Sequence, residues 1–121
     1  MRIHFKGTNY ELSPEISRFA QKKIETLKKY VKRKDGVAQA FVNMGRITTA
    51  QNTGKIWSTE LNFDVDGKRF NAAATADNLE SAIEVAVSEV GTELEKMNKR
   101  DRQLVRRGGS VIKSFMRGFQ T

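Results

Sequence analysis

The sequence contains no cysteine, a single proline and a single histidine. Without cysteine, disulfide bonds and thiolate zinc sites are excluded, and such a composition suits the reducing interior of a cell. No run of about 18 apolar residues could cross a bilayer, and the N-terminal residues lack the apolar stretch of a signal peptide. These absences predict a soluble, cytoplasmic protein without a membrane partner.

Catalytic signatures are also missing. One histidine alone cannot build a metal site, and the sequence contains no nucleophile and base pair and no phosphate-binding loop. His4 is predicted to point outward from an edge strand, either solvated or facing RNA. The carboxylates Asp64 and Asp66 belong to a strand end and a turn rather than to paired acid-base chemistry. We therefore predict no catalytic residue, no metal, no cofactor and no enzymatic activity.

Positive charge is abundant and clustered. The 22 lysine and arginine residues exceed the 14 acids by eight, and the isoelectric point is near 10.0. Eight basic residues lie between Arg18 and Lys34, and eight more lie between Lys96 and Arg117. Clustered lysine and arginine favour nucleic acid first and an anionic membrane surface second.

The first half of the chain predicts a strand, a helix and a second strand. Residues 2–6 alternate polar and apolar side chains and stop at Gly7, as a short strand does. Residues 12–34 have a helical start signal, with Ser13 as N-cap and Pro14 at the first helical position. Residues 37–44 alternate again, and 45–54 form a long polar loop. One stripe of the helix is apolar (Ile16, Ala20, Ile24, Leu27, Val31), and the opposite side carries Arg18, Lys22, Lys29 and Arg33.

The second half predicts a hairpin and a helix. A strand over 55–66 ends in Asp66-Gly67, a strong hairpin signal, and the return strand places Phe70 opposite Phe63 and Ala72 opposite Leu61. Trp57, Phe63 and Phe70 fall on the apolar face, which favours packing over base stacking. A helix then begins at Asp77 as N-cap and frays past Arg100. Its predicted core side is Leu79, Ile83, Ala86, Val87, Val90, Leu94 and Met97.

The predicted fold class is α+β, in the order β-α-β-β-β-α. A right-handed crossover makes the first two strands parallel and the others antiparallel in one four-stranded mixed sheet. Both helices are expected on its apolar face, with the other face polar. Residues 1–100 would form one domain, followed by a basic, flexible tail over 101–121.

The tail has three possible interpretations. Its basic residues alternate with apolar ones, and Gly108-Gly109 interrupts any continuous helix. It is a solvated tail, a segment that orders on RNA with Phe115 or Phe119 stacked on bases, or a short amphipathic membrane anchor.

Several stretches together resemble the ribosome hibernation-promoting factor family, also called protein Y or ribosome-associated inhibitor. They are GTNYELSP near the N-terminus, KKIETLKKY at 22–30, FNAAATADNLESAIE at 70–84 and ELEKMNKR at 93–100. The resemblance implies a fold similar to the double-stranded RNA-binding domain. It also implies binding in the decoding region of the small ribosomal subunit, where the family occupies the messenger and transfer RNA sites and silences translation in starved cells.

The resemblance also implies site residues. Lys22, Lys23, Lys28 and Lys29 match basic positions of the family's first helix, and Lys96, Lys99 and Arg100 match the basic end of its second. Glu89, Thr92 and Glu93 stand where the family usually has lysine or arginine. Longer members carry a C-terminal domain that pairs ribosomes, whereas only residues 101–121 follow the second helix here, so we expect no self-pairing through such a domain. The complete predicted RNA-binding set is Arg18, Lys22, Lys23, Lys28, Lys29, Lys32, Arg33, Lys96, Lys99, Arg100, Arg102, Arg106 and Arg107.

The sequence leaves alternative functions open. The favoured prediction is a translation inhibitor that is monomeric off the ribosome and binds small-subunit ribosomal RNA. A general structured-RNA binder or ribosome assembly factor would use the same cations. The chain could instead modulate a protein partner such as a sigma factor, and a basic helix can also be merely a solvated surface.

Overall fold

The structure is a computed structural model and describes residues 1–31, 38–47 and 56–106, with side chains as far as residue 100. The order of strands and helices is the predicted one, with a 3₁₀ segment added after the first helix. The elements are β1 (Arg2–Thr8), α1 (Pro14–Glu25), the 3₁₀ segment (Thr26–Tyr30), β2 (Gln39–Arg46), β3 (Trp57–Val65), β4 (Lys68–Ala76) and α2 (Leu79–Arg106).

The four strands form one mixed sheet in the order β1-β2-β3-β4. β1 and β2 are parallel and the other pairs antiparallel, which confirms the predicted crossover. Phe63 pairs with Phe70 and Leu61 with Ala72, as predicted from the hairpin. The turn between β3 and β4 places Asp66 and Gly67 at φ of 51° and 76°. Two consecutive positive φ angles are what a tight two-residue hairpin with matching twist requires.

One face of the sheet is covered by the helices and holds the core. Side chains from α1, α2 and this inner face form one cluster, in which Ala20, Ile24, Phe63 and Leu94 have no exposed surface. Small inner-face residues, including Ala40 and Ala72, give the helices room to lie close to the strands. All but Met97 of the predicted core residues of the second helix are buried, and Met97 is partly buried.

The first helix ends earlier than predicted. Its α-helical part stops at Glu25, the 3₁₀ segment continues to Tyr30, and Val31 is already extended at φ −87° and ψ 111°. The Thr26 hydroxyl donates to the Lys23 carbonyl oxygen at 2.6 Å. Three-residue turns align side chains three apart, so buried Leu27 and half-buried Tyr30 face the same side. The predicted helix end at 34–36 lies outside the described residues.

The second helix differs at both ends. Asn78, rather than Asp77, is the N-cap, since its side-chain oxygen accepts from the Ser81 amide at 2.8 Å. The helix continues to Arg106, beyond the predicted fraying at Arg100.

The ends of two strands also differ slightly from the predicted bounds. β1 extends past Gly7 to Thr8, and β2 extends to Arg46, into the predicted 45–54 loop. The Ile47 amide donates to the Ile56 carbonyl oxygen at 2.7 Å, which closes the base of that connection. Its residues 48–55 lie outside the described part of the chain.

Candidate nucleic-acid interface

The outer side of α1 presents cations because its inner side is buried. Ser13 caps the helix by accepting from the Ile16 amide at 3.2 Å, and Pro14 occupies the first turn, as predicted. Arg18 and Lys22 are both exposed and, being four residues apart, lie on one side of the helix. Neither forms an ion pair with another described side chain. Both are therefore available to an anionic partner.

The two adjacent lysines of the 3₁₀ segment, Lys28 and Lys29, project in different directions. At three residues per turn, neighbouring side chains diverge by about 120°. Lys29 shares a row with Thr26, and both line a shallow groove against α2 together with Glu95. Exposed Lys28 projects from another side of the segment and does not line this groove. The Lys28 and Lys29 side chains therefore point in different directions.

The two helices run parallel, with their C-terminal ends together. Lys23 lies 3.6 Å from Glu84, and the Leu27 and Tyr30 side chains approach Gly91. A Cβ atom at Gly91 would lie 3.5 Å from Leu27 Cδ2, so a large side chain there would push the 3₁₀ segment away. These contacts advance in the same direction along both helices. The parallel arrangement thus brings the two basic clusters of the sequence to one end of the helix layer.

Asn98 fixes this end. It is only 8% exposed, and its Nδ2 donates to the Tyr30 carbonyl oxygen at 3.1 Å. Its Oδ1 has no partner among the described atoms. The bond ties the last residue of the 3₁₀ segment to α2. We call the surrounding group the basic end: Lys28, Lys29, Lys96, Lys99 and Arg100, all exposed.

Two of the predicted cations face acids of their own chain. The Lys23 ammonium lies 3.6 Å from a Glu84 carboxylate oxygen and 5.6 Å from the Phe19 ring centre, and Lys96 lies 3.6 Å from Glu93. All four charged side chains are about half exposed. Exposed pairs of this kind contribute roughly 0–1 kcal/mol and are easily exchanged for another anion. The two acids reduce the positive charge of the predicted surface at Lys23 and Lys96, but both lysines can still bind another anion.

Acids occupy the exposed middle of α2. Glu84, Glu89, Glu93 and Glu95 are all exposed, and the Thr92 hydroxyl donates to the Ser88 carbonyl oxygen at 3.0 Å. Among the described residues of the two helices and the 3₁₀ segment, the positive surface is therefore limited to α1 and the basic end. Cations at the C-terminal ends of helices also stabilise the helix dipole, which is the structural alternative to a binding role.

Some predicted site residues fall outside the description. Lys32, Arg33 and Arg107 are not described. Arg102 and Arg106 belong to the backbone of α2, but their side chains are not described. Their RNA-binding role stays a prediction, as does the conformation of 107–121.

The sheet face turned away from the helices carries a stack that the sequence did not reveal. His4 points outward from edge strand β1, as predicted, and its ring lies parallel to that of Phe41 with 4.7 Å between centres. The Arg69 guanidinium lies 5.7 Å from the Phe41 ring centre. Arg69 also binds both Asp64 carboxylate oxygens, at 2.6 and 2.9 Å, and these hydrogen bonds lower the pKa of Asp64. The alternation over 37–44 predicts that Phe41 lies on the face opposite Ala40 and Val42, and the structure confirms it, but the alternation does not show that His4 is its neighbour.

Asn98 was also missed. It lies four residues after Leu94, so its helical position indicates the core side, where a polar residue needs a partner. That spacing could have marked it as a structural contact.

The described residues contain neither a metal-binding cluster nor a membrane-spanning helix. No group of three or more histidine, cysteine or carboxylate side chains there could hold a metal ion. None of the described helices is long and apolar enough to cross a membrane. Trp57 packs edge-to-face on Tyr10, with ring centres 5.4 Å apart, in agreement with its predicted packing role.

The chain is similar to a known protein family and to two solved structures. Residues 3–102 match the family model described as Sigma 54 modulation protein / S30EA ribosomal protein. The N-terminal domain of Thermus thermophilus protein Y has a similar structure, with a TM-score of 0.67 and 24% identity over 80% of this chain and 99% of that one. A ribosomal subunit interface protein from Coxiella burnetii gives a TM-score of 0.64 and 18% identity over 82% and 99%. No curated protein sequence matches the chain.

Proposed function

Because the chain belongs to the Sigma 54 modulation protein / S30EA ribosomal protein family, we propose that it is a ribosome-binding inhibitor of translation. Membership confirms the resemblance to hibernation-promoting factors, and the family is ribosome-associated. The finer proposal is that the protein docks on small-subunit ribosomal RNA in the decoding region. There it would block the messenger and transfer RNA sites, acting in the cytoplasm and as a monomer off the ribosome.

One observation carries the proposal: the Asn98 to Tyr30 hydrogen bond, which holds the ends of both helices together. Through it, cations separated by more than 60 positions in the sequence share one end of the molecule. Lys28 and Lys29 immediately precede Tyr30, and Lys96, Lys99 and Arg100 lie on either side of Asn98. A compact group of flexible point charges suits a folded phosphate backbone.

The mechanism requires no chemistry. Each lysine that neutralises a phosphate releases a condensed counterion, so affinity is electrostatic and depends steeply on salt. Phosphate contacts position a protein on RNA without reading base sequence. A domain that fills the decoding region in this way inhibits translation by excluding the RNAs that must bind there.

The test is charge reversal at Lys22, Lys28 and Lys29 together. With all three changed to glutamate, we expect weaker binding to purified small subunits and a log–log salt slope reduced by about 2–3, since each lost phosphate contact removes roughly 0.7–0.9. Co-sedimentation over a salt series measures both. Because the three side chains are exposed, the thermal unfolding midpoint should change little.

Two controls accompany this variant. Replacing the same lysines by arginine keeps the charge and should keep binding, whereas Arg46→Glu changes an exposed charge at the C-terminal end of β2, away from the basic end, and should have little effect. Unaltered sedimentation of the triple glutamate variant would reject the proposal. Competition with transfer RNA on the subunit separates a decoding-region inhibitor from a general RNA binder or assembly factor. Nucleotide-resolution protection, with and without residues 101–121, would locate the site and the tail.

A protein partner is the second candidate function. The family description names sigma 54 modulation, and the exposed acids along α2 are poorly suited to RNA. Binding of this kind should survive nuclease treatment of the partner and depend little on salt. Loss of binding after nuclease treatment would exclude it.

A further inference from the structure

The second face of the sheet is built differently from the helix-covered one. No described element lies over it, and the strand register places His4 beside Phe41, Phe41 beside Asn62 and Asn62 beside Asn71. Two aromatic rings and two amides thus form one row across all four strands. We call this the open sheet face: Arg2, His4, Lys6, Phe41, Asn43, Glu60, Asn62, Asp64, Arg69 and Asn71.

An exposed aromatic stack crosses this face. Phe41 is 36% exposed, and its ring lies between the strands that carry His4 and Arg69, both of which approach it. His4 is exposed and lies on edge strand β1, so the stack ends at the border of the sheet. A further planar group can therefore extend it there. Cross-strand packing alone is the structural alternative.

Positive charge lies beside the end of the stack. Arg2 and Lys6 are exposed and share the outward side of β1 with His4, which stands midway between them. Four residues of strand place their backbones about 13 Å apart. On β3, Asp64 lies in the row of Arg2 and is already bound by Arg69 through both carboxylate oxygens, whereas Glu60 lies in the row of Lys6. Glu60 remains as an acid on β3, so the positive side of the face is β1.

Polar groups that suit base edges adjoin the rings. Asn43, Glu60 and Asn62 line a shallow hollow with His4, Lys6 and Phe41. The Asn71 Nδ2 donates to Asn62 Oδ1 at 2.6 Å, which orients the Asn62 amide. Amides offer donors and acceptors, the groups that pair with the edges of unstacked bases.

Rings, flanking cations and amides on an uncovered four-stranded sheet have the chemistry of single-stranded RNA recognition. We propose that the open sheet face is a second RNA-binding surface that takes a single-stranded segment. A base would stack on His4 and Phe41, Arg2 and Lys6 would neutralise phosphates, and Asn43 or Asn62 would contact a base edge. This goes beyond the decoding-region docking proposed for the helix side, because it gives one domain two RNA surfaces on opposite sides.

The test uses the full chain and a fluorescent eight-nucleotide oligoadenylate, with fluorescence anisotropy at low salt. Wild type should bind it, and Phe41→Ala and His4→Ala should each weaken binding about tenfold or more, because base-aromatic stacking is lost. Phe41→Tyr keeps the ring and should stay within about twofold of wild type. Val85→Ala is the matched control, since Val85 is an exposed apolar residue on α2, 45% exposed. Thermal unfolding of each variant shows whether it is folded.

Additional measurements distinguish a failure of this inference from a failure of the proposed function. The Lys22, Lys28 and Lys29 charge-reversal variant should lose affinity for the small subunit while keeping most of its affinity for oligoadenylate. Phe41→Ala should do the reverse, and a paired RNA duplex should not distinguish it from wild type. The inference is overturned if wild type fails to bind oligoadenylate, or if folded Phe41→Ala binds it as wild type does. It is equally overturned if sedimentation shows that the face pairs two copies of the chain and that Phe41→Ala separates them.

Discussion

The two faces of the sheet are formed by the same four strands, yet a substitution on one face should affect the rest of the domain more than a substitution on the other. On the inner face, Phe63 is fully buried among residues of both helices, and the positions of the cations depend on that packing. On the open sheet face, Phe41 lies one strand away and is 36% exposed, and its ring contacts His4 of β1 and Arg69 of β4 but no described residue of a helix. The inner face determines the shape of the domain, whereas the open face is free to vary in chemistry.

The largest effect should come from comparing these two phenylalanines. Phe63→Ala is expected to lower the free energy of unfolding by about 3–5 kcal/mol, because it leaves a cavity in a packed core. Phe41→Ala should lower it by no more than about 1 kcal/mol, the scale of a cross-strand pair. Urea unfolding of both variants measures the difference. Equal losses would mean that Phe41 is as much a core residue as Phe63.

An intermediate effect is expected at Asn98. Asn98→Ala removes the donor to the Tyr30 carbonyl oxygen, and the loss of this part-buried hydrogen bond should lower the free energy of unfolding by about 0.5–1.5 kcal/mol. If the bond positions the basic end, affinity for the small subunit should fall as well, with the salt slope unchanged because no cation is lost. Asn98→Gln is the conservative comparison. Weaker stability with unchanged affinity would show that the bond is structural only.

The smallest effect should come from Glu84. Glu84→Gln removes the carboxylate beside Lys23 but keeps the side-chain shape, and stability should change by less than about 1 kcal/mol. The released Lys23 should bind RNA about two- to fivefold more tightly at low salt, a gain that corresponds to roughly 0.4–1 kcal/mol. Glu80→Gln, one turn earlier on the same helix and also exposed, is the matched control. Identical gains in both variants would mean that only net charge changed.

The sequence predicted the fold well because its signals are strong and local. The alternation over 57–65, the Asp66-Gly67 turn and the spacing from Leu79 to Leu94 each depend on residues close together in the chain. The strand pairing followed from the turn, since a two-residue hairpin fixes the register of both strands.

What the sequence did not reveal depends on contacts between distant residues. The change to a 3₁₀ segment after Glu25 aligns Leu27 and Tyr30 against α2, so it follows from packing that a 3.6-residue period cannot show. Asn78 and Asp77 are both good caps, and residue type alone cannot choose between them. The Lys23 pair with Glu84 and the ring of His4 on Phe41 each require knowledge of which elements are neighbours.

The sequence predicted which cations belong to the candidate site. The structure adds where each cation lies and which way it points. Arg18 and Lys22 share one side of α1, Lys28 and Lys29 diverge, and Lys23 faces an acid. Only the parallel course of the helices explains why the two clusters meet. Counting charges along the sequence cannot predict the directions in which the helices run, and these directions decide which cations lie together.

The bond between Asn98 and Tyr30 joins positions 68 residues apart in a chain that has no cysteine. It acts as a reversible cross-link whose strength does not depend on oxidants or reducing agents. The link between the two groups of cations therefore contains no oxidisable sulfur, and its strength stays constant when the redox state changes. A thiol-based link would not provide that constancy.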